Sequence, residues 1–256
     1  MFVTGTHAEY RLSNDDVQQQ LRLNLGMSPV DNGAQLCKCG LPLSHGHAQI
    51  CTKLRQVMGQ TRHDTVVRAL AQCAERAALT AHVEAPPTRR SGKPHPERLR
   101  PDLLIEGTDF SVLADVVVTM PSAPSHIADG SARVPLRSAE YAAREKIRKY
   151  KELAEREHRQ IYPVAMEAYG GMVEAARALL SRMADHTADT TGAGQFQRSE
   201  ILAHMRSVMA IALVRGNARL SASAIRRATT QQVARSRAHP IVVVRKRGGA
   251  GGTQRA

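Results

Sequence analysis

Arg100-Pro101-Asp102-Leu103-Leu104-Ile105 is followed, after Glu106-Gly107-Thr108-Asp109, by Val112-Leu113-Ala114-Asp115-Val116-Val117-Val118. Both runs are β-branched or leucine-rich and too short for helices, and the segment between them carries turn residues, so they predict a hairpin. Each strand carries one aspartate inside or beside an apolar pattern. A carboxylate in a core strand is costly without a metal, a cation or a proton partner. Side by side across the hairpin, Asp102 and Asp115 form a candidate site for one divalent cation. A lysine-bearing segment follows, and the combination predicts a metal-dependent phosphodiester-cleaving site.

Outward from the hairpin, the chain reads as alternating elements. Ser13 caps a helix to about residue 25, with Val17, Leu21 and Leu25 as its apolar stripe. Val66, Val67, Leu70, Ala71 and Ala74 mark an amphipathic helix from Arg62 to Ala78, and 79–85 is a short strand. Residues 86–99 and 121–136 are rich in Pro, Gly or Ser and predict a loop and a long connection. A charged helix spans Ser138 to His158, a strand Ile161 to Met166, and a helix follows Gly170-Gly171 through about Ala184. A Thr/Gly-rich linker over 186–195 leads to a helix from Arg198 to Val214, and Gly216-Asn217 predicts a break before a second one. Ile241 to Val244 is an isolated apolar run in an otherwise basic tail. The order predicts one mixed α/β unit with peripheral helices.

With 256 residues, the chain can bury one ordinary core and a small satellite module. Its formal charge of +13 and pI near 10.3 favour a polyanionic partner. Aromatic residues make up 3% of the chain and tryptophan is absent, which argues against base stacking on single strands. No run approaches the roughly 18 apolar residues of a membrane span, and the opening Met1-Phe2-Val3-Thr4-Gly5 lacks a secretory signal layout.

Three of the four cysteines cluster with histidines. Cys37, Cys39, His47 and Cys51 form the most natural four-ligand set for structural Zn²⁺, with His45 as a competing ligand. Gly40 suits the tight turn such a knuckle needs. This usage favours a reducing compartment over a disulfide framework.

At the hairpin, the position two beyond Asp115 is Val117, so the lysine that a D-x-K arrangement would place on the strand is absent. Lys146 and Lys149 lie one turn apart on the next helix, and either is placed to supply that ammonium. Tyr150 follows directly. His63 reads equally as a phosphate or water contact and as a structural helix-start residue. Glu84 is a candidate third acid, Glu167 is as readily a solvent-facing residue, and Gly170-Gly171 is a turn rather than a phosphate cradle.

The succession of the knuckle, Arg62-His63-Asp64, Val83-Glu84, Arg100-Pro101-Asp102, Asp115-Val116-Val117 and Lys146-x-x-Lys149-Tyr150 resembles the C-terminal part of non-LTR retrotransposon polyproteins. There a CCHC zinc knuckle precedes a restriction-like endonuclease of the PD-(D/E)xK superfamily. The resemblance covers about residues 10 to 185. It implies a restriction-endonuclease-like α/β core, a mixed sheet flanked by helices, with a small zinc knuckle and C-terminal helices. The implied division is an N-terminal helical segment (1–35), the knuckle (36–61), the nuclease core (62–185), C-terminal helices (186–231) and a basic, disordered tail (232–256). It also implies Mg²⁺- or Mn²⁺-dependent nicking of target DNA for target-primed reverse transcription. Asp102 and Asp115 match the metal-binding acids, Lys146 and Lys149 the lysines moved onto the helix, and Arg62 and His63 the Arg-His pair opening the first core helix. Glu84 and Tyr150 are supporting candidates. The implied partners are DNA, element RNA and a separate reverse transcriptase, without a membrane, in the nucleus or nucleocytoplasm.

The sequence departs from that pattern in its short C-x-C gap and in the long stretch between Asp115 and Lys146. It has no room for a reverse transcriptase, which makes it a fragment, a decayed copy or a free-standing relative. A catalytically inactive, zinc-containing nucleic-acid-binding remnant is the alternative.

Overall fold

A computed structural model describes residues 11–30, 35–37, 39–83, 99–192 and 194–238. Its elements, in chain order, are α1 (Asn14–Asn24), α2 (His45–Ile50), α3 (Thr52–Arg76), β1 (Thr80–Val83), β2 (Leu103–Gly107) and β3 (Phe110–Thr119). They continue as α4 (Pro124–Ala128), α5 (Arg137–Glu157), β4 (Gln160–Glu167), α6 (Glu174–Thr191) and α7 (Gln195–Ala238). The fold is mixed α/β, as expected.

The four strands form one sheet in the order β1-β2-β3-β4. β1, β2 and β3 are an antiparallel meander, while β4 runs parallel to β3. A parallel neighbour needs a crossover, and α5 is the long helix within it. Strand alternation then divides the core. Leu104 and Leu113 meet Tyr150 and Leu153 of α5. Leu103, Ile105, Val112 and Ala114 join the main cluster, built with α3, α6 and α7. The predicted stripe of α3, from Val66 to Ala74, is buried there.

Four expectations are corrected. On α1, Ser13 caps the helix in a capping box with Asp16, but Val17, Leu21 and Leu25 are exposed. Leu23, 2% exposed, packs inward instead, because α1 meets its neighbours through the face bearing Gln20, which reaches Ala168 and Asn217. The first core helix starts at Thr52, inside the segment assigned to the knuckle, since Cys51 closes α2 and caps α3 at once.

Residues 121–136 are not a bare connection. They hold α4 and a series of hydrogen-bonded turns, with Ser131 Oγ donating to the Pro121 carbonyl at 2.6 Å.

The last correction is α7. α6 runs on to Thr191, and from Gln195 a single helix passes through Gly216-Asn217 to Ala238, into the segment expected to be tail. Glycine is tolerated here because α3 comes close: a Cβ on Gly216 would stand 2.8 Å from Arg62 Cγ and 3.1 Å from Arg62 Cα. Asn217 is satisfied by its side chain, which donates to Gln20 Oε1 and the Ala168 carbonyl. The isolated run 241–244, the rest of the tail and most of the 86–99 loop lie outside the described residues.

Candidate functional site

Continuing the β2–β3 register by one step from Leu103↔Ala114 sets Asp102 opposite Asp115. By alternation both share the face that carries Leu104 and Leu113, the one α5 covers. Asp115 is 1% exposed, and its Oδ2 meets Lys146 Nζ at 2.5 Å. Asp102 Oδ2 accepts from the Val116 N–H at 2.6 Å and meets His63 Nε2 at 2.9 Å. His63 Nδ1 in turn contacts Asp64 Oδ1 at 3.2 Å. Two strands and two helices thus assemble a Lys–Asp–Asp–His array beside an open cleft of about 610 Å³. Arg62, His63, Asp64, Asp102 and Lys146 all line that cleft.

The charges in the array disturb one another. Burial raises the proton affinity of Asp115, the charge of Asp102 raises it further, and Lys146 opposes both. The hydrogen bond to Asp102, together with the charges of Asp102 and Asp64, pushes His63 up to about 9 against the opposing effect of burial. Burial, then the neighbouring Asp115, holds the Tyr150 phenol well above its ordinary range.

The two lysines part company. Along α5 the inward stripe reads Ala139, Ala143, Lys146, Tyr150, Leu153, all buried except the lysine. Lys146 therefore occupies a core-facing position and can only point at the sheet. Lys149 is exposed, with its ammonium over the Tyr150 ring at 4.9 Å, and it is not brought to the acids. Tyr150 is 1% exposed and donates to the Arg100 carbonyl at 2.8 Å, propping the Arg100-Pro101-Asp102 turn against the helix.

Arg62 is buried and ties elements together. It donates to Gln49 Oε1 at 2.7 Å, to Asn217 Oδ1 at 3.2 Å and to the Val118 carbonyl at 3.3 Å. Gln49 was not singled out in the sequence, and Asn217 entered only as part of an expected helix break. Asp64 stood in the Arg62-His63-Asp64 motif without a role of its own. Glu167, left open between site and solvent, is buried and accepts from Ser138 Oγ at 2.8 Å, at the far end of the β3–β4 seam. Glu84 lies outside the described residues.

A second cluster sits in the knuckle. Leu36 bridges Pro42, and Gly40 turns the chain between them at φ +92°, which favours glycine. Cys37, Cys39, His47 and Cys51 bring one ligand atom each to within 4.8 Å of one another. Cys37 Sγ and Cys51 Sγ are 3.7 Å apart, and Cys39 Sγ lies 3.2 Å from His47 Nε2. A tetrahedral zinc with bonds of about 2.3 Å to sulfur needs ligand spacings of roughly 3.8 Å, so the donor set fits that ion. Burial pushes the Cys37 thiol up to about 11 in the free protein. Burial acts the same way on Cys39, but hydrogen bonds from the Leu41 backbone and the neighbouring thiols outweigh it and lower that thiol. Burial holds His47 towards its neutral, ligating form. The His45 side chain lies outside what is described.

No protein-family model matches this chain, and no curated protein matches it.

Proposed function

We propose that this protein is a metal-dependent DNA endonuclease with a zinc knuckle, of the restriction-like kind carried by non-LTR retrotransposons. One observation carries the reading: a lysine on the crossover helix reaches the buried aspartate of a hairpin whose other aspartate lines an open cleft. The resemblance implies a mixed sheet flanked by helices, and the four-stranded mixed sheet with α3 and α5 against it is consistent with that reading.

Asp102 and Asp115 would hold Mg²⁺ or Mn²⁺. Among the described residues, both contacts to Asp102 use Oδ2, which leaves Oδ1 to turn towards a cation. Such an ion supplies charge neutralisation on the phosphate and a water nucleophile at neutral pH. Lys146, which meets Asp115 in this structure, would orient the water and offset negative charge on the phosphoryl oxygens. His63, held protonated by its two acids, is a second positive group at the cleft wall. Tyr150 keeps the Asp102 turn in place.

The competing reading is an inactive nucleic-acid-binding remnant. One feature favours it: each carboxylate already meets a positive side chain, so the array is neutralised without a metal. Nicking of supercoiled plasmid with Mg²⁺ or Mn²⁺ separates the two. The nuclease reading expects nicking that EDTA abolishes and that Asp115→Ala removes while DNA binding persists. Wild-type cleavage indifferent to EDTA sinks the mechanism, and binding with no cleavage under either metal selects the remnant.

A further inference from the structure

Helix α7 carries eight arginines and a single acid, Glu200. At about 100° per residue, Arg215, Arg219 and Arg226 fall within about 40° of one another along about 16 Å of helix. The side of α3 that meets this helix presents Thr65, Arg68 and Gln72, and together the two helices form a groove with three arginines and no carboxylate. Arg219 donates to Thr65 Oγ1 at 3.3 Å, which fixes the guanidinium on the seam. Arg68 lines this groove and the acid cleft alike, and Leu220, next to Arg219, lines the cleft. The two depressions therefore adjoin at Arg68. Among the described residues no carboxylate pairs with Arg68, Arg219 or Arg226, and all three are exposed.

The opposite face of the same helix behaves differently. Arg206, half a turn away from Arg215, borders a groove that includes Glu174 and Asp185, which pair with Arg177 and Arg198. The α3–α7 seam holds arginines without acids and leads from the acid cleft towards the knuckle, where Ala224 and Ala228 pack.

We infer that the α3–α7 seam, through Arg68, Arg215, Arg219 and Arg226, is a phosphate track for duplex DNA that delivers one strand to the acid cleft. Guanidinium groups spaced along a rigid helix, with no aromatic platform among the groove residues, suit a regular backbone rather than unstacked bases. The track extends the nuclease reading and rests on it for the identity of the polymer. It binds without reading sequence, because its contacts go to phosphates.

The test uses the full chain in its zinc-loaded form with Asp115→Ala, so that binding is measured without cleavage. A short labelled DNA duplex is titrated across a range of salt concentrations. The triple change Arg68→Ala, Arg219→Ala, Arg226→Ala lowers the slope of log K against log salt by about 2 to 3, at about 0.9 per phosphate contact. Replacing the same residues with lysine keeps most of the slope and guards against a folding artefact. Arg206→Ala leaves it unchanged. An unchanged slope in the triple variant, or tighter binding to single-stranded RNA of the same sequence, overturns the track. In the parent with Asp115 intact, nicking with an unaltered triple-variant slope means that only the track is wrong. A slope that falls as expected in a protein that never nicks retains the track and removes the nuclease.

Discussion

The two candidate metal sites in this molecule are opposites. In the knuckle, four donors converge with no cationic side chain among the described ones, and burial keeps the Cys37 thiol protonated in the metal-free protein. In the cleft, every acid already has a positive neighbour. An ion at the knuckle would tie together a segment too short to hold much core of its own. The acid array can fold without one, since Lys146 and His63 stand in for the charge. A site that must exchange its cation with substrate gains from such internal substitutes, and a site that only holds a loop does not.

The largest effect expected from this contrast is at the knuckle. Cys37→Ser removes one of four ligands, and stoichiometric zinc is lost together with cooperative melting of α2. Metal analysis and thermal denaturation read both, and an unchanged zinc content would break the comparison at once.

Next comes the array itself. Lys146→Ala leaves the buried Asp115 carboxylate without its partner. Removing half of a buried pair costs about 3 to 5 kcal/mol, here reduced towards the lower end because the lysine side chain is 27% exposed. Chemical denaturation measures it. Lys146→Met with Asp115→Asn together should restore most of the loss, since neither charge then remains.

A smaller effect concerns His63 in the metal-free protein. Its folded pKa is raised from 6.5 to about 9, so its contribution is fully present below 6.5 and fades as pH rises through 9. The melting-temperature gap between wild type and His63→Gln therefore narrows over that window. A gap that widens instead would mean that the imidazole is neutral between its two acids.

The smallest is Lys149→Ala, a surface change expected to stay within about 0.5 kcal/mol and to leave nicking intact. Should it equal Lys146→Ala in activity, the separation of the two lysines is wrong.

Much of this was readable in the residues. The hairpin, its two aspartates and the knuckle are local patterns, fixed by strand alternation and by ligands within fifteen positions of each other. The ambiguity between Lys146 and Lys149 was also resolvable: the stripe Ala139, Ala143, Tyr150, Leu153 admits Lys146 and excludes Lys149. Other features were not readable. Which face of α1 turns inward depends on Gln20 meeting Asn217, nearly two hundred residues away. Gly216-Asn217 looked like a break because its local propensity is poor, and only the close passage of α3 explains why the helix continues. Arg62 was legible as a site candidate, but its role as a tie between α2, α3, α7 and β3 belongs to long-range partners.

Helix α7 has one further consequence. Its first half supplies Ile201, Met205, Val208, Met209, Ala212 and Leu213 to the main core, and its later part supplies Ala224 and Ala228 to the knuckle. A late segment of α7 thus completes a module that lies before α3 in the chain. A knuckle transplanted from another protein by joining sequences near residue 61 would arrive without the floor it sits on. Recombination here succeeds only if both pieces, far apart in the gene, are exchanged together.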